Sequence, residues 1–310
     1  MAKYVIKRLL ILIPILFLVS IIAFGLVRLM PGNAEVAYLQ AAGIPPTEEL
    51  IETVRKDMGY DRPLPVQYFE WLGKAIRLDF GVSYATKKAV GPELLGSLRY
   101  TAQLAGFSSL IVLGVSIPMG IWSAVKANKV PDNVNRVVAF VGSSMPSFWL
   151  GPLLVQLFSL ALGWLPVQGA TSFRHLILPA ITMSVLYIAT YSRLLRNSLL
   201  ENMNKRFVTY SRARGISENK IVTNHVLRNS MIPVVTTFGI NFGHMIAGST
   251  IVEVLFSWPG LGRLIVGSIA ARDFPMIQGY IVLMAVIFIL VNLATDLITV
   301  ALDLRMREAL

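Results

Sequence analysis

Runs of about 20 apolar residues, almost empty of charge, recur along this chain and constrain every later step. The first, residues 9–29, reads "LLILIPILFLVSIIAFGLVRL". A helix of that length crosses the roughly 30 Å hydrocarbon core of a bilayer. Hydrocarbon offers the backbone no hydrogen-bond partners, so each N–H and C=O must be satisfied within the segment, and a helix does this. Five further runs follow, near residues 99–126, 136–163, 175–196, 230–256 and 279–301. The expected fold class is therefore all-α integral membrane, with six transmembrane helices. Pro118, Pro146, Pro152, Pro179 and Pro233 fall in or at the edges of these runs and predict kinks. The basic start (Lys3, Lys7, Arg8) resembles that of a signal peptide. The run behind it is too long for one and leads into "RLMPGN", so it reads as a retained span.

Residues 31–98 form a polar insert. "PPTEELIETVRKDMG" offers Thr47 as an N-cap, acids in the first turn and Gly59 as a stop, which predicts a short helix. "PLPVQYFEWLGKAIRLDFG" predicts a second, with Val66, Phe69 (or Tyr68), Leu72 and Ile76 on one stripe.

The formal net charge is +11, and its distribution gives an orientation. With the termini, 127–135 and 197–229 inside, the inner loops carry a strong Lys/Arg excess. The outer segments nearly balance. That is the positive-inside pattern of a multi-pass protein with both termini cytoplasmic, and the lack of cysteine fits a bacterial or archaeal cell membrane. It also makes a nucleic-acid partner unnecessary to explain the basicity. The absence of cysteine excludes disulfides, thiolate metal sites and thiol nucleophiles.

Between the fourth and fifth spans lies "YSRARGISENKIVTNHVLRNSMIP", with Arg212, Arg214, Lys220, His225 and Arg228 against Glu218 alone. Ser217 is an N-cap candidate, and Ile221, Val222, Val226 and Leu227 recur at helical spacing. Two short amphipathic helices joined at Gly215 are expected, since glycine takes a positive φ without steric cost. The residues alone leave three readings open: a solvated loop, a helix lying on anionic headgroups, and a docking helix seated in a cytoplasmic partner.

Several chemistries find no residues. There is no G-x-x-x-x-G-K-[ST] phosphate loop, no H-E-x-x-H and no Cys/His cluster. His175, His225 and His244 stand far apart in sequence. An intramembrane enzyme would need paired acids or a Ser/His set, whereas Asp296 is the one acid well inside a span. A channel or ion-driven carrier stays open on these grounds. Asp296 stands four residues from Asn292; an intramembrane acid is a functional candidate because its charge is costly there, and the plainer reading is a buried hydrogen bond to a neighbouring helix. "INFGHMIAGSTIVE" is polar for membrane depth. Its small residues Gly239, Gly243, Ala247 and Gly248 predict close helix packing, and Asn241, His244, Ser249 and Thr250 are candidates to line a translocation path. No metal site is firmly indicated; His244 is a transient candidate for meeting a metal complex or a carboxylate.

The stretch "YSRARGISENKIVTNHVLRNSMIPVVT" resembles the cytoplasmic loop of ATP-binding-cassette importer permeases, in the variant form of the peptide/nickel branch. "KRLLILIPILFLVSIIAF", "LDFGVS", "SMPSFWLG", "EVLFSWPGLGRL", "RDFPMIQG" and "VNLATDLITVALDLRMR" agree with that branch in order, across essentially the whole chain. The resemblance implies the type I ABC importer fold: residues 1–98 as first helix plus extracytoplasmic insert, residues 99–305 as a five-helix transmembrane domain, and a coupling loop at about 205–229. It implies ATPase coupling through Tyr210, Arg212, Ala213, Arg214 and Gly215, with Arg228, Asn229 and Pro233 closing the motif. It implies no catalysis and no cofactor in this chain, ATP and Mg being bound by separate ATPase subunits. The implied partners are a second, homologous permease, two cytoplasmic ATPases, an extracytoplasmic solute-binding protein and membrane lipid. Leu304 stands where the family usually has proline. The insert and the short loop "GWLPVQGATSFRHLILP" look most like nickel permeases, so the expected cargo is nickel, cobalt or a metal–chelator complex, with dipeptides or oligopeptides as the alternative.

Overall fold

The first apolar run forms one helix, α1 (Ala2–Leu29), in a computed structural model that describes residues 2–29 and 33–302. The insert forms three more: α2 (Ala34–Ala41), α3 (Glu48–Asp57) and α4 (Leu64–Ile76). Then come α5 (Val90–Val125), α6 (Val130–Ser144), α7 (Ser147–Leu154, continuing as π-helical turns over Val155–Ala161) and α8 (Arg174–Met203). Helix α9 (Arg206–Ala213) precedes α10 (Glu218–Lys220), a π-helical stretch (Ile221–Val226) and α11 (Leu227–Gly248). Helices α12 (Thr250–Leu255), α13 (Leu261–Ala270) and α14 (Phe274–Leu302) complete the described residues. The fold is all-helical: among the described residues the only β pairing is one isolated bridge, Val82 to Ala89.

Among the described residues, five helical stretches are long and apolar enough to cross a membrane: Leu10–Leu29, Val90–Val125, Arg174–Met203, Glu218–Leu255 and Phe274–Ala301. The third expected span departs from the reading as one run over 136–163. It is two helices, α6 and α7, meeting at 106°. Proline is the cause. Pro146 donates no N–H, and it pushes Met145 into extended backbone (ψ 115°), so the helix cannot continue through it. A sixth crossing exists only if this bent pair is counted as one.

The chain divides into two compact units. One comprises residues 2–101 with Pro259–Leu290. Residues 259–290 thus pack with the N-terminal part of the chain. Val27, Ala37, Tyr84, Ile265, Phe274 and Ile277 form one apolar cluster; Val90, Leu94, Leu261 and Met276 form another. The buried Asp273 carboxylate accepts from Ser83 Oγ (2.5 Å) and from the N–H groups of Tyr84 (3.1 Å) and Ala85 (3.3 Å), fixing the loop before α5 to the start of α14. At Gly279 a Cβ would come within 2.9 Å of Val90 and Leu94, so α14 and α5 meet here closer than a side chain permits.

In the insert, α3 forms as expected: Thr47 Oγ1 accepts from Leu50 N–H, and Gly59 stands past the end at φ +69°. On α4 the alternative offered at the second position, Tyr68, is the buried one. The buried residues are Gln67, Tyr68 and Ala75, whereas Val66, Phe69 and Ile76 are exposed. Tyr68 packs edge-on against Phe17 and Phe24 of α1 and its hydroxyl bonds to Ser20 (2.8 Å).

The other unit comprises Ala102–Trp258 with α14 from Val291 onward. Small residues let its helices approach. A Cβ on Gly120 would meet Leu195 at 3.1 Å, and one on Gly142 would meet Val185 and Ala189 at 3.2 Å, which seats α5 and α6 on α8. A Cβ on Gly239 would overlap Thr295, so α11 and α14 touch at the glycine the sequence singled out for packing. Gly248, expected in the same role, meets nothing within 4 Å.

Candidate functional site

The basic segment folds as a knuckle between α8 and α11. After Met203 the chain turns and starts α9, which ends in a Schellman-type closure: Gly215 N–H donates to Arg212 O (2.9 Å) and Ile216 N–H to Ser211 O (3.2 Å). Such a closure needs a left-handed residue, and Gly215 supplies it at φ +77°. No atom lies within 4 Å of where a Cβ would stand, so conformation, not space, demands glycine here. Val208, Ile221 and Val226 are buried beneath, and Ser211 Oγ closes onto Phe207 O (2.8 Å). Asn202, at the end of α8, donates to Ser230 Oγ on α11 (3.1 Å), fixing the two stems of the knuckle.

The second half corrects the expectation of two short helices. Ser217 occupies the N-cap position but its side chain makes no capping bond. From Glu218 the helix then runs on through the π stretch into α11 without a break. The turn and the fifth span are one rod. Glu218 reaches back across Gly215 to Arg212, accepting from Nε (2.6 Å) and Nη2 (3.3 Å). That bond is the main cause holding the Arg212 guanidinium above its ordinary pKa.

Tyr210, Arg212, Ala213, Arg214 and Gly215 all lie at the surface of the knuckle, Tyr210 at 67% exposure. Arg214 sits 5.9 Å from the Tyr210 ring centroid. Arg228 and Asn229 are exposed on the first turn of α11, and Pro233 lies within that helix. An exposed tyrosine and arginine on a knuckle held rigid from below is what a docking helix needs, since such residues anchor interfaces.

The path candidates do not gather into one surface. Asn241 is half-buried and donates to the buried Tyr191 hydroxyl (2.8 Å), which donates to Thr237 O (3.3 Å), joining α8 to α11. Ser249 is fully buried, its hydroxyl shared between Ile246 O and Glu253 Oε1 (both 2.8 Å), and Glu253 is buried with it. Thr250 is half-buried and donates to Ala247 O (3.2 Å). His244 alone of the four is exposed. Asn292 and Asp296 are half-buried on α14, and His175 Nδ1 pairs with Ser172 Oγ (3.0 Å).

One cluster went unread in the sequence. Asp132, in the first turn of α6, is completely buried. It accepts from Arg196 of α8 (2.5 and 2.7 Å), Arg136 (2.8 Å), Ser123 of α5 (2.8 Å) and Asn128 N–H (2.8 Å). The loop over 127–135 gave only an acid beside a proline at a helix start. Arg196 lies 64 residues away, and nothing in a local pattern pairs the two.

Comparison with known proteins gives the class. Residues 116–308 match the family described as binding-protein-dependent transport system inner membrane component, and residues 1–105 match its N-terminal companion model. The chain belongs to this family: it is a permease subunit of an ABC importer and not an enzyme, and such permeases work with ATPase and binding-protein partners. More particularly, it is 41% identical over 303 residues to the glutathione transport system permease protein GsiC of Escherichia coli strain K12, covering 98% of each chain. The GsiC protein of Shigella dysenteriae serotype 1 matches equally. Its fold resembles that of the inward-facing MetNI methionine ABC transporter (TM-score 0.56, 17% identity, 68% of this chain and 96% of that chain). It also resembles that of an amino acid ABC transporter (TM-score 0.50, 17% identity, 69% and 94%). The expected likeness to nickel permeases finds no support among these relatives.

Proposed function

We propose that this chain lines one side of the translocation path of an importer for small peptides of the glutathione kind. Beside it would stand a second, homologous permease, with two ATPases below, a solute-binding protein outside, and both termini cytoplasmic. The full-length 41% identity to permeases named for glutathione carries the peptide reading. A metal–chelator cargo lacks a comparable observation. Among the described residues no group of three or more His, Asp or Glu is placed to hold a metal ion.

The knuckle supplies the coupling. Closure of an ATPase dimer around the exposed Tyr210–Gly215 surface would displace α9, and the Arg212–Glu218 bond hands that displacement across the glycine. Because Glu218 through Gly248 is continuous helix, the motion reaches the fifth span without passing a hinge. No covalent step occurs in this chain. His244, exposed on that span, is the candidate to meet the cargo, an imidazole N–H facing a peptide carboxylate. Ser249 turns its hydroxyl away into the Glu253 contact.

The test is uptake in a strain lacking the transporter, complemented with this chain and its partners. Labelled glutathione or a dipeptide should enter, unlabelled peptide should compete, and nickel should do neither. Nickel uptake insensitive to peptide would overturn the cargo reading.

A further inference from the structure

Helix α4 belongs to a segment that reads as polar and extramembrane, yet its contacts run deep along α1. Tyr68 bonds to Ser20 and packs on Phe17 and Phe24, in the middle of the apolar span Leu10–Leu29. Further along, Ala75 and Ile76 share a groove with Ile13 and Leu16. A helix beside the midpoint of a span lies within the bilayer's thickness.

The faces of α4 sort by chemistry. Tyr68 and Ala75 are buried. Val66, Phe69 and Ile76 form a second, apolar stripe that is exposed, Phe69 at 62% and Ile76 at 74%. Glu70, Lys74 and Arg77 form a third, charged stripe, also exposed. Two adjoining cavities mark the boundary. A polar one of about 960 Å³ is lined by Arg28, Glu35, Asp61 and Lys74 among others. An apolar one of about 580 Å³ runs between α1, α4 and the starts of α5 and α14, with Leu72, Ile76, Leu95 and Val286 on its walls. Trp71 and Phe80 line both. On α4, Lys74 lines the polar cavity and Ile76 the apolar one, with Trp71 between them at both.

We propose that the apolar groove holds an acyl chain of a phospholipid and that α4 is embedded in the bilayer beside α1. The groove's chemistry selects this occupant. Among the described lining side chains only the Ser20 hydroxyl and the Trp71 indole are polar, and Ser20 is already bonded to Phe17 O (2.7 Å) and Tyr68. A polar cargo would find no partner there, whereas an acyl chain needs none. Along α1 the groove follows Ile13 to Ser20, about 10 Å of helix, enough for a stretch of extended chain.

The chain has no cysteine, so single nitroxide labels can be placed in the assembled transporter in phosphatidylethanolamine–phosphatidylglycerol vesicles. At Phe69→Cys and Ile76→Cys, relaxation by oxygen should exceed relaxation by a water-soluble nickel chelate several-fold. At Lys56→Cys on α3 the order should reverse. Nickel-dominated relaxation at Phe69 and Ile76 would place the stripe in water. Screening from both reagents would mean that a protein, such as a second permease, covers it. Either result overturns the proposal. In native mass spectrometry, Leu95→Trp, at a position that is 59% exposed, should fill the groove and reduce retained phospholipid relative to the wild type. Unchanged retention would remove the groove as the site.

Discussion

Gly215 turns the backbone at φ +77° in open space, and the two facts separate conformation from crowding. A non-glycine residue in the left-handed region costs about 1–2 kcal/mol, least for asparagine and most for β-branched residues. Gly215→Asn should therefore keep most cargo-stimulated ATPase activity and uptake. Gly215→Val should lose both while reaching the membrane in normal amount. Equal activity of the two, at matched membrane levels, would mean that the turn plays no part in coupling. His244 calls for a different comparison. If its N–H meets a peptide carboxylate, His244→Ala should raise the half-saturating peptide concentration and His244→Gln should restore it in part, because an amide still donates. Unchanged peptide saturation in His244→Ala would leave the residue as part of the helix surface only.

The elements were unevenly legible. Helix α3 could be read in advance because its signals are local: a threonine cap, acids in the first turn, a glycine past the end. The stripe on α4 was legible but not what it faces, because periodicity measures hydrophobicity and not what lies opposite. In a membrane protein the lipid-facing side is as apolar as the core, and only the Tyr68–Ser20 contact tells them apart. Proline at 146 announced a kink, but not a 106° turn that splits the expected third span. The Asp132 cluster could not be seen at all, since it joins α5, α6 and α8 through residues far apart in sequence. It makes a strong prediction. Removing one partner of a buried ion pair strands the other, at a cost of about 3 kcal/mol when one side keeps some access to water. Arg196 is such a side, with 15% of its side chain exposed. Asp132→Ala should lower the unfolding temperature of the purified subunit and its level in the membrane, and Arg196→Lys, which loses the bidentate geometry, should do so less. Wild-type thermal stability in Asp132→Ala would show that the cluster carries no load.

At the scale of the whole molecule, the class was legible because the resemblance extended along the entire chain, and the family match covers residues 1–105 and 116–308. Cargo was not, because distinguishing a peptide from a metal complex needs only a few contacts, which no local sequence pattern marks. Of the four path candidates, two are half-buried and one is wholly buried. Orientation rests on charge, which a labelling experiment tests directly. A cysteine introduced at Glu49 should react with an impermeant maleimide in intact cells, and one at Asn219 only after permeabilisation; the opposite pattern would invert the topology. The most direct test of the central claim, import driven through the α9–Gly215 knuckle, is the initial rate of labelled glutathione uptake by the complete transporter reconstituted in vesicles with its binding protein. Measured with and without ATP, in the wild type and in Gly215→Val, uptake should require ATP and should be lost in the variant although the subunits remain assembled. ATP-independent uptake, or a Gly215→Val rate equal to the wild type, would contradict the account.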